Sequence, residues 1–299
     1  MATLLILQNC KVKNNDSDEA VNNDIIEVVT SVMDFLSVDT ITSGWTTFKY
    51  INKSNEPHFF LLEKYPENKF LEDGQKEIFP VFQKGMNLIN NGNSEEGFAA
   101  FGDLPAWYPQ IVFKGGSGLV SPKKTSLTTI KMEPGYYVME CYVKMANGTF
   151  HSVMGMEKQL IVTGENNNNP EPKADINVTL SSTKGYVIDK PIQKGNQTIS
   201  VYFEDQIVHE NFVGQDLNLM KIEDGVILEN IENWMNWANP KGLISPAPQG
   251  VTFLGGVNDM PAGSLAFLTV TLDPGKYALV AEVPNTLSKN MLVTFIVTE

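Results

Sequence analysis

The chain repeats itself. Phe113-Lys-Gly-Gly116 recurs as Phe253-Leu-Gly-Gly256, and Pro134-Gly-Tyr-Tyr137 recurs as Pro274-Gly-Lys-Tyr277, both 140 residues later. The closing segments Leu160-Ile-Val-Thr163 and Phe295-Ile-Val-Thr298 match at an offset of 135, so the second copy is shorter after its Pro-Gly turn. Landmarks in the same order imply duplication of one unit, and 299 residues exceed what one hydrophobic core accommodates. Between the copies, Gly164-Glu-Asn-Asn-Asn-Asn-Pro-Glu-Pro-Lys173 offers no apolar side chain besides proline and reads as a linker. The expected organisation is therefore a leader and tether over 1–24, one domain over 25–163, a linker over 164–174 and a second domain over 175–299.

Within each copy the pattern is mostly strand. Trp45–Ile51, Leu127–Met132, Thr198–Phe203 and Leu265–Leu272 alternate and carry β-formers, and the Pro-Gly turns feed Tyr136–Val143 and Lys276–Val283. Leu71–Leu88, Glu95–Phe101 and Gly225–Ala238 have helical spacing instead. The expectation is an all-β fold of two β-sandwiches, each with a helical insertion on its loop side. Trp234 and Trp237, three apart on the last helical segment, are expected to pack against the sandwich rather than form a sugar platform. A net charge of -13, with no lysine-rich run to offset it, excludes nucleic acid as a partner. No apolar stretch is long enough for a membrane-spanning helix.

Three histidines are present, His58, His151 and His209, and two cysteines, Cys10 and Cys141. His58 follows a strand and a polar turn ending in Pro57. Cys141 follows the Pro134-Gly135 turn along a strand, and His151 and Met156 come after it. In this order the first copy resembles the cupredoxins, in which a first imidazole is followed much later by a strand ending at cysteine, then histidine and methionine. The resemblance implies a Greek-key sandwich in both copies. It also implies a copper site in the first, with His58 and His151 as imidazole ligands, Cys141 as thiolate and Met156 as weak axial thioether. At these positions the second copy has Ala281 for Cys141 and Met291 for Met156. Asn211-Phe212 is its nearest match to His58-Phe59, so it holds no site.

The register after Cys141 decides whether those ligands meet. Asn147-Gly148 is the signal for a two-residue hairpin turn. That turn sets His151 opposite Lys144 and puts Cys141 and His151 on opposite faces of the sheet. A three-residue loop over Ala146–Gly148 moves the pairing by one, and the two then share a face about 7 Å apart along the ladder. The Asn-Gly signal and the neighbouring helical insertion favour a metal-free binding module with a protein or glycan partner. The alternative is a type-1-like copper electron-transfer or copper-carrier protein.

Three histidines are too few for the imidazole-rich clusters of the multicopper oxidases in the same superfamily. Walker A, Gly-x-Ser-x-Gly and His-Glu-x-x-His motifs are also missing. An enzyme is therefore not expected. The opening Met1-Ala-Thr-Leu-Leu-Ile-Leu-Gln-Asn-Cys10, followed by an acidic, Asn-rich stretch, resembles the end of a bacterial lipoprotein signal. That resemblance implies lipidation at Cys10, export to the periplasm or cell surface, and membrane contact only through the anchor.

Overall fold

Alternating β-branched and aromatic residues give strands where the sequence places them, in a computed structural model that describes residues 25–299. Cys10 and the expected leader lie outside these residues. The first copy runs β1 (Ile25–Thr30), β2 (Thr40–Asn52), β3 (Leu61–Lys64), α1 (Leu71–Glu77), α2 (Phe79–Asn90), α3 (Ser94–Ala100), β4 (Val112–Gly116), β5 (Thr125–Met132), β6 (Gly135–Glu140) and β7 (Glu157–Asn166). The second runs β8 (Ile176–Ser181), β9 (Gly185–Ile188), β10 (Gly195–Phe203), β11 (Leu217–Ile222), α4 (Leu228–Met235), β12 (Val251–Val257), β13 (Leu265–Leu272), β14 (Gly275–Val280) and β15 (Leu292–Val297). The helices enter between β3 and β4 in one copy and between β11 and β12 in the other. The helical span expected over Leu71–Leu88 breaks at Ile78, and Pro80 sits in the first turn of α2, where its missing N–H costs nothing.

Each copy is a two-layer sandwich. In the first, β4-β3-β6-β7 form one layer and β1-β2-β5 the other. The long strand β2 serves both, pairing in parallel with β7 over Thr40–Ser43 and antiparallel with β5 from Gly44 onward. The second copy stacks β12-β11-β14-β15 on β9-β8-β10-β13. Strands β5 and β13 then pair antiparallel, Leu127 opposite Thr269 through Ile130 opposite Ala266, so one sheet crosses from copy to copy. One apolar core runs through both copies, and the first adds a smaller cluster around Tyr65, Phe79 and Trp107.

The repeated motifs have structural causes. The first glycine of each Gly-Gly pair, Gly115 or Gly255, has φ of 82° or 108°, which favours glycine. Beside the pair the strand register slips, between Leu61 and Glu63 in one copy and between Leu219 and Met220 in the other, so the motif is a β-bulge. The second glycine lets a neighbouring strand approach: a Cβ would sit 2.0 Å from the Phe60 carbonyl oxygen at Gly116 and 1.9 Å from the Leu217 carbonyl oxygen at Gly256. Gly256→Ala is accordingly expected to destabilise the protein by about 3 kcal/mol, because backbone must move to admit the methyl group. Chemical denaturation checks this; an unchanged midpoint and slope would show the bulge free to relax. After the Pro-Gly turns, the Tyr137 and Tyr277 hydroxyls donate to the Glu133 and Asp273 carbonyls, each at 2.8 Å, and lock both corners alike.

The Asn-rich segment is better tied than its composition suggests. Strand β7 continues to Asn166, the Asn167 N–H donates to the Ser43 carbonyl, and the Asn167 and Asn169 amides donate to the Trp45 carbonyl. Asparagine side chains satisfy backbone groups where no apolar contact is available. Trp234 and Trp237 are buried, and their indole N–H groups donate to the Ile244 and Asn211 carbonyls. The indoles pack, as expected.

Candidate metal centre

Three backbone arrangements bring the candidate ligands together. His58 forms an isolated two-residue bridge with Val120, each N–H donating to the other's carbonyl. The loop before it is braced by the Asn52 amide, which donates to the Glu56 and Val120 carbonyls at 2.8 Å each. Cys141 lies just past the end of β6, and its N–H donates to the Met156 carbonyl at 3.2 Å. His151 owes its place to the hairpin. The His151 N–H donates to Val143, the Met145 N–H donates to Thr149, and Lys144 pairs with Phe150.

That pairing is the three-residue register, closed by Gly148 at φ 84°. The two-residue turn favoured by Asn147-Gly148 is not the one formed. Helix α2 explains the outcome, because the Gln83 amide donates to the Gly148 carbonyl and accepts from the Phe150 N–H, clamping the longer loop. After His151 a short 3-10 turn over Ser152–Met154 brings the chain back, and the Met156 N–H donates to the His151 carbonyl at 3.0 Å.

The side chains converge. The Nδ1 atoms of His58 and His151 are 3.1 Å apart, and the Cys141 Sγ is 3.8 Å from each. Exposure is 1% for His58 and 0% for Cys141, His151 and Met156, so the cluster is buried. Among the described residues this is the one group of three or more such side chains with ligand atoms close enough to share an ion. Burial lowers the His58 pKa to about 3, with help from His151, and that of His151 to about 4. Both rings are therefore neutral, the form that ligates metal. Burial pushes the Cys141 thiol up to about 12, so the thiolate needs a cation beside it.

A first-row ion about 2.0 Å from each nitrogen and about 2.3 Å from sulfur spans these separations. One thiolate and two imidazoles form a donor set that can take copper, and backbone hydrogen bonds tie Met156 to both Cys141 and His151. The site fits the metal.

One neighbour was not legible in the sequence. Glu56 Oε2 lies 3.4 Å from His151 Nε2, and neither atom has a hydrogen-bond partner. Only its position two residues before His58 hinted at this. His209 stands outside the cluster.

Strand register also gives the second copy's equivalents. Leu61 pairs with Glu140 as Asn218 pairs with Val280, so counting back from Asn218 places Gln215 where His58 stands, rather than Asn211. The Ala281 N–H donates to the Met291 carbonyl as the Cys141 N–H does to Met156, which confirms those two matches. The shorter connection from Ala281 to Met291 leaves no counterpart of His151.

No family model matches the chain, and no curated protein matches it. Among solved structures, auracyanin from the photosynthetic bacterium Roseiflexus castenholzii is 18% identical, with 47% of this chain and 97% of that one covered and a TM-score of 0.28. A multicopper oxidase is 11% identical, with 92% and 88% covered and a TM-score of 0.21. A copper-containing nitrite reductase from Thermus scotoductus is 12% identical, with 91% and 60% covered and a TM-score of 0.22. The last two are enzymes, so the expectation that the chain is not an enzyme does not stand, while likenesses this slight carry no activity over to this chain. The neighbours share a cupredoxin-like all-β fold and show nothing further; what the site can do rests on its own atoms.

Proposed function

We propose that the first copy holds one copper ion through His58, Cys141 and His151, with Met156 beside it, and that the protein transfers electrons. The observation that carries this is the meeting of two Nδ1 atoms and one Sγ within 3.1–3.8 Å in the buried interior. The metal-free reading drew on the two-residue Asn-Gly turn and on the neighbouring helical insertion, and the first of these is a register the chain does not have. Copper in such a set supplies the Cu(I)/Cu(II) couple. The residues supply the rest: Asn52 and the Val120 bridge fix His58, and the Gln83 clamp fixes His151. Ligands held this firmly stay in place whichever charge the metal carries.

The test is titration of the metal-free protein with Cu(II), followed by absorption and metal analysis. One equivalent should bind, with an intense visible band from the thiolate. Protein that takes up no copper, or takes it up without the band, overturns the proposal. Lipidation of Cys10 and export are proposed alongside it, and the mass of the mature N-terminus tests them.

A further inference from the structure

A second site lies where the two copies meet. A cleft of about 90 Å³ is lined by residues of both halves. Five of them are acids: Glu63 and Glu140 from the first copy, and Asp216, Asp259 and Glu282 from the second. Glu63, Glu140, Asp216 and Glu282 are at most 9% exposed. No lysine lines the cavity, and the chain has no arginine. The nearby Lys144 amine is occupied by the Trp237 and Asn239 carbonyls, at 2.7 and 2.8 Å.

Of the five acids, Glu282 alone is attracted by Lys144, and that lysine's own burial weakens its charge. Asp216 accepts from the Glu282 N–H and the Asn218 amide, and Glu282 Oε2 accepts from the Tyr142 hydroxyl. Glu282 Oε1, buried on the cavity wall, has no partner. Burial drives the Asp216 and Asp259 pKa values up to about 7 and raises that of Glu282 well above its ordinary range. Unpaired buried carboxylates are costly, and a cation in the cavity would relieve that cost.

The lining says which kind of cation. Apart from the His58, Cys141 and His151 cluster, no three acids or metal ligands among the described residues bring their ligand atoms within 4.8 Å of one another, so the carboxylates form no compact cage for a metal ion. They are spread along the cleft wall, an arrangement that matches several separated positive charges rather than one ion. Phe82, Tyr108 and Trp237 contribute an aromatic wall, with Phe82 centred 5.8 Å from Tyr108 and 5.9 Å from Trp237. Such rings pack against methylene groups and attract ammonium groups. We propose that this cavity binds a linear polyamine, its ammonium groups on the carboxylates of both copies and its methylene chain along the aromatic wall. Neither copy carries the full set of acids, so the site exists only in the joined pair.

Calorimetric titration of the full chain with spermidine, at physiological salt and without copper, tests this independently of the metal centre. One spermidine should bind per chain. Glu282→Gln, which keeps an acceptor for Tyr142, and Asp259→Asn should each weaken binding about tenfold. Replacing the exposed Glu95 and Glu96 of α3 by glutamine should leave binding unchanged. Circular dichroism confirms which variants fold, and Asp259→Asn stands in if Glu282→Gln does not. No binding overturns the proposal. So does equal weakening by the surface variant, which would mean diffuse attraction to an acidic chain, or binding of magnesium or calcium but not spermidine.

Discussion

Cys141→Ser is expected to abolish the visible copper band and to weaken copper binding by at least about 100-fold. Loss of a group merely supporting a metal ligand already costs 10- to 100-fold, and here the ligand itself is removed. Serine is almost the same size but is a hard, weakly acidic oxygen donor, so it cannot replace the thiolate's strong bond to copper. The variant should still fold. Its hydroxyl enters a fully buried position at about 1 kcal/mol, a cost visible by denaturation of the metal-free protein and separable from metal affinity. A variant that kept the band would assign it to other ligands and remove the basis of the electron-transfer reading.

The metal-free protein is expected to melt several degrees higher at pH 5.5 than at pH 7. Asp216 and Asp259 titrate near 7 when folded, against 3.8 normally, because burial disfavours their charged forms. Glu282, Glu63 and Glu140 are shifted the same way, Glu140 to about 8. A group whose folded pKa is raised contributes stability below its unfolded pKa and loses it as pH rises through the folded value. For Asp216 the full span corresponds to about 4 kcal/mol. His58 and His151 oppose this: their folded values of about 3 and about 4 lie below 6.5, so they lose stability as pH falls from 6.5. His209 is lowered by burial too, and five carboxylates still outnumber three imidazoles between pH 4.5 and 6.5, so stability falls as pH rises. Lys144, lowered to about 7 by burial, acts with the opposite sign above that pH, which is why the comparison stops there. A higher midpoint at pH 7 would show that the acids are ionised and solvated in the native protein. Asp259→Asn should flatten the dependence.

Much of the fold was legible because its determinants are local. Alternation marks the strands, the repeated Gly-Gly marks two bulges, and the Pro-Gly-x-Tyr corners mark equivalent turns. The candidate ligands were legible as an ordered set, whereas their meeting was not. It turned on one residue of register after Cys141, and the choice is made by Gln83 on a helix remote in sequence. Local turn preference pointed the other way and was overridden by tertiary contact. The acidic cavity was illegible for a related reason. Its five carboxylates are scattered from Glu63 to Glu282 with no common spacing, and only pairing of the two copies collects them. The break at Ile78 and the anchoring of the Asn-rich segment also depend on neighbours far along the chain.

The pairing of β5 with β13 has a consequence for how such a chain can be divided. Each strand covers what would otherwise be the other's open hydrogen-bonding edge, and unprotected edges recruit further strands. Half-molecules made separately would each present that edge to solvent together with severed apolar core. They would then seek another half, of either kind, so doubling this unit shields it from indiscriminate self-association.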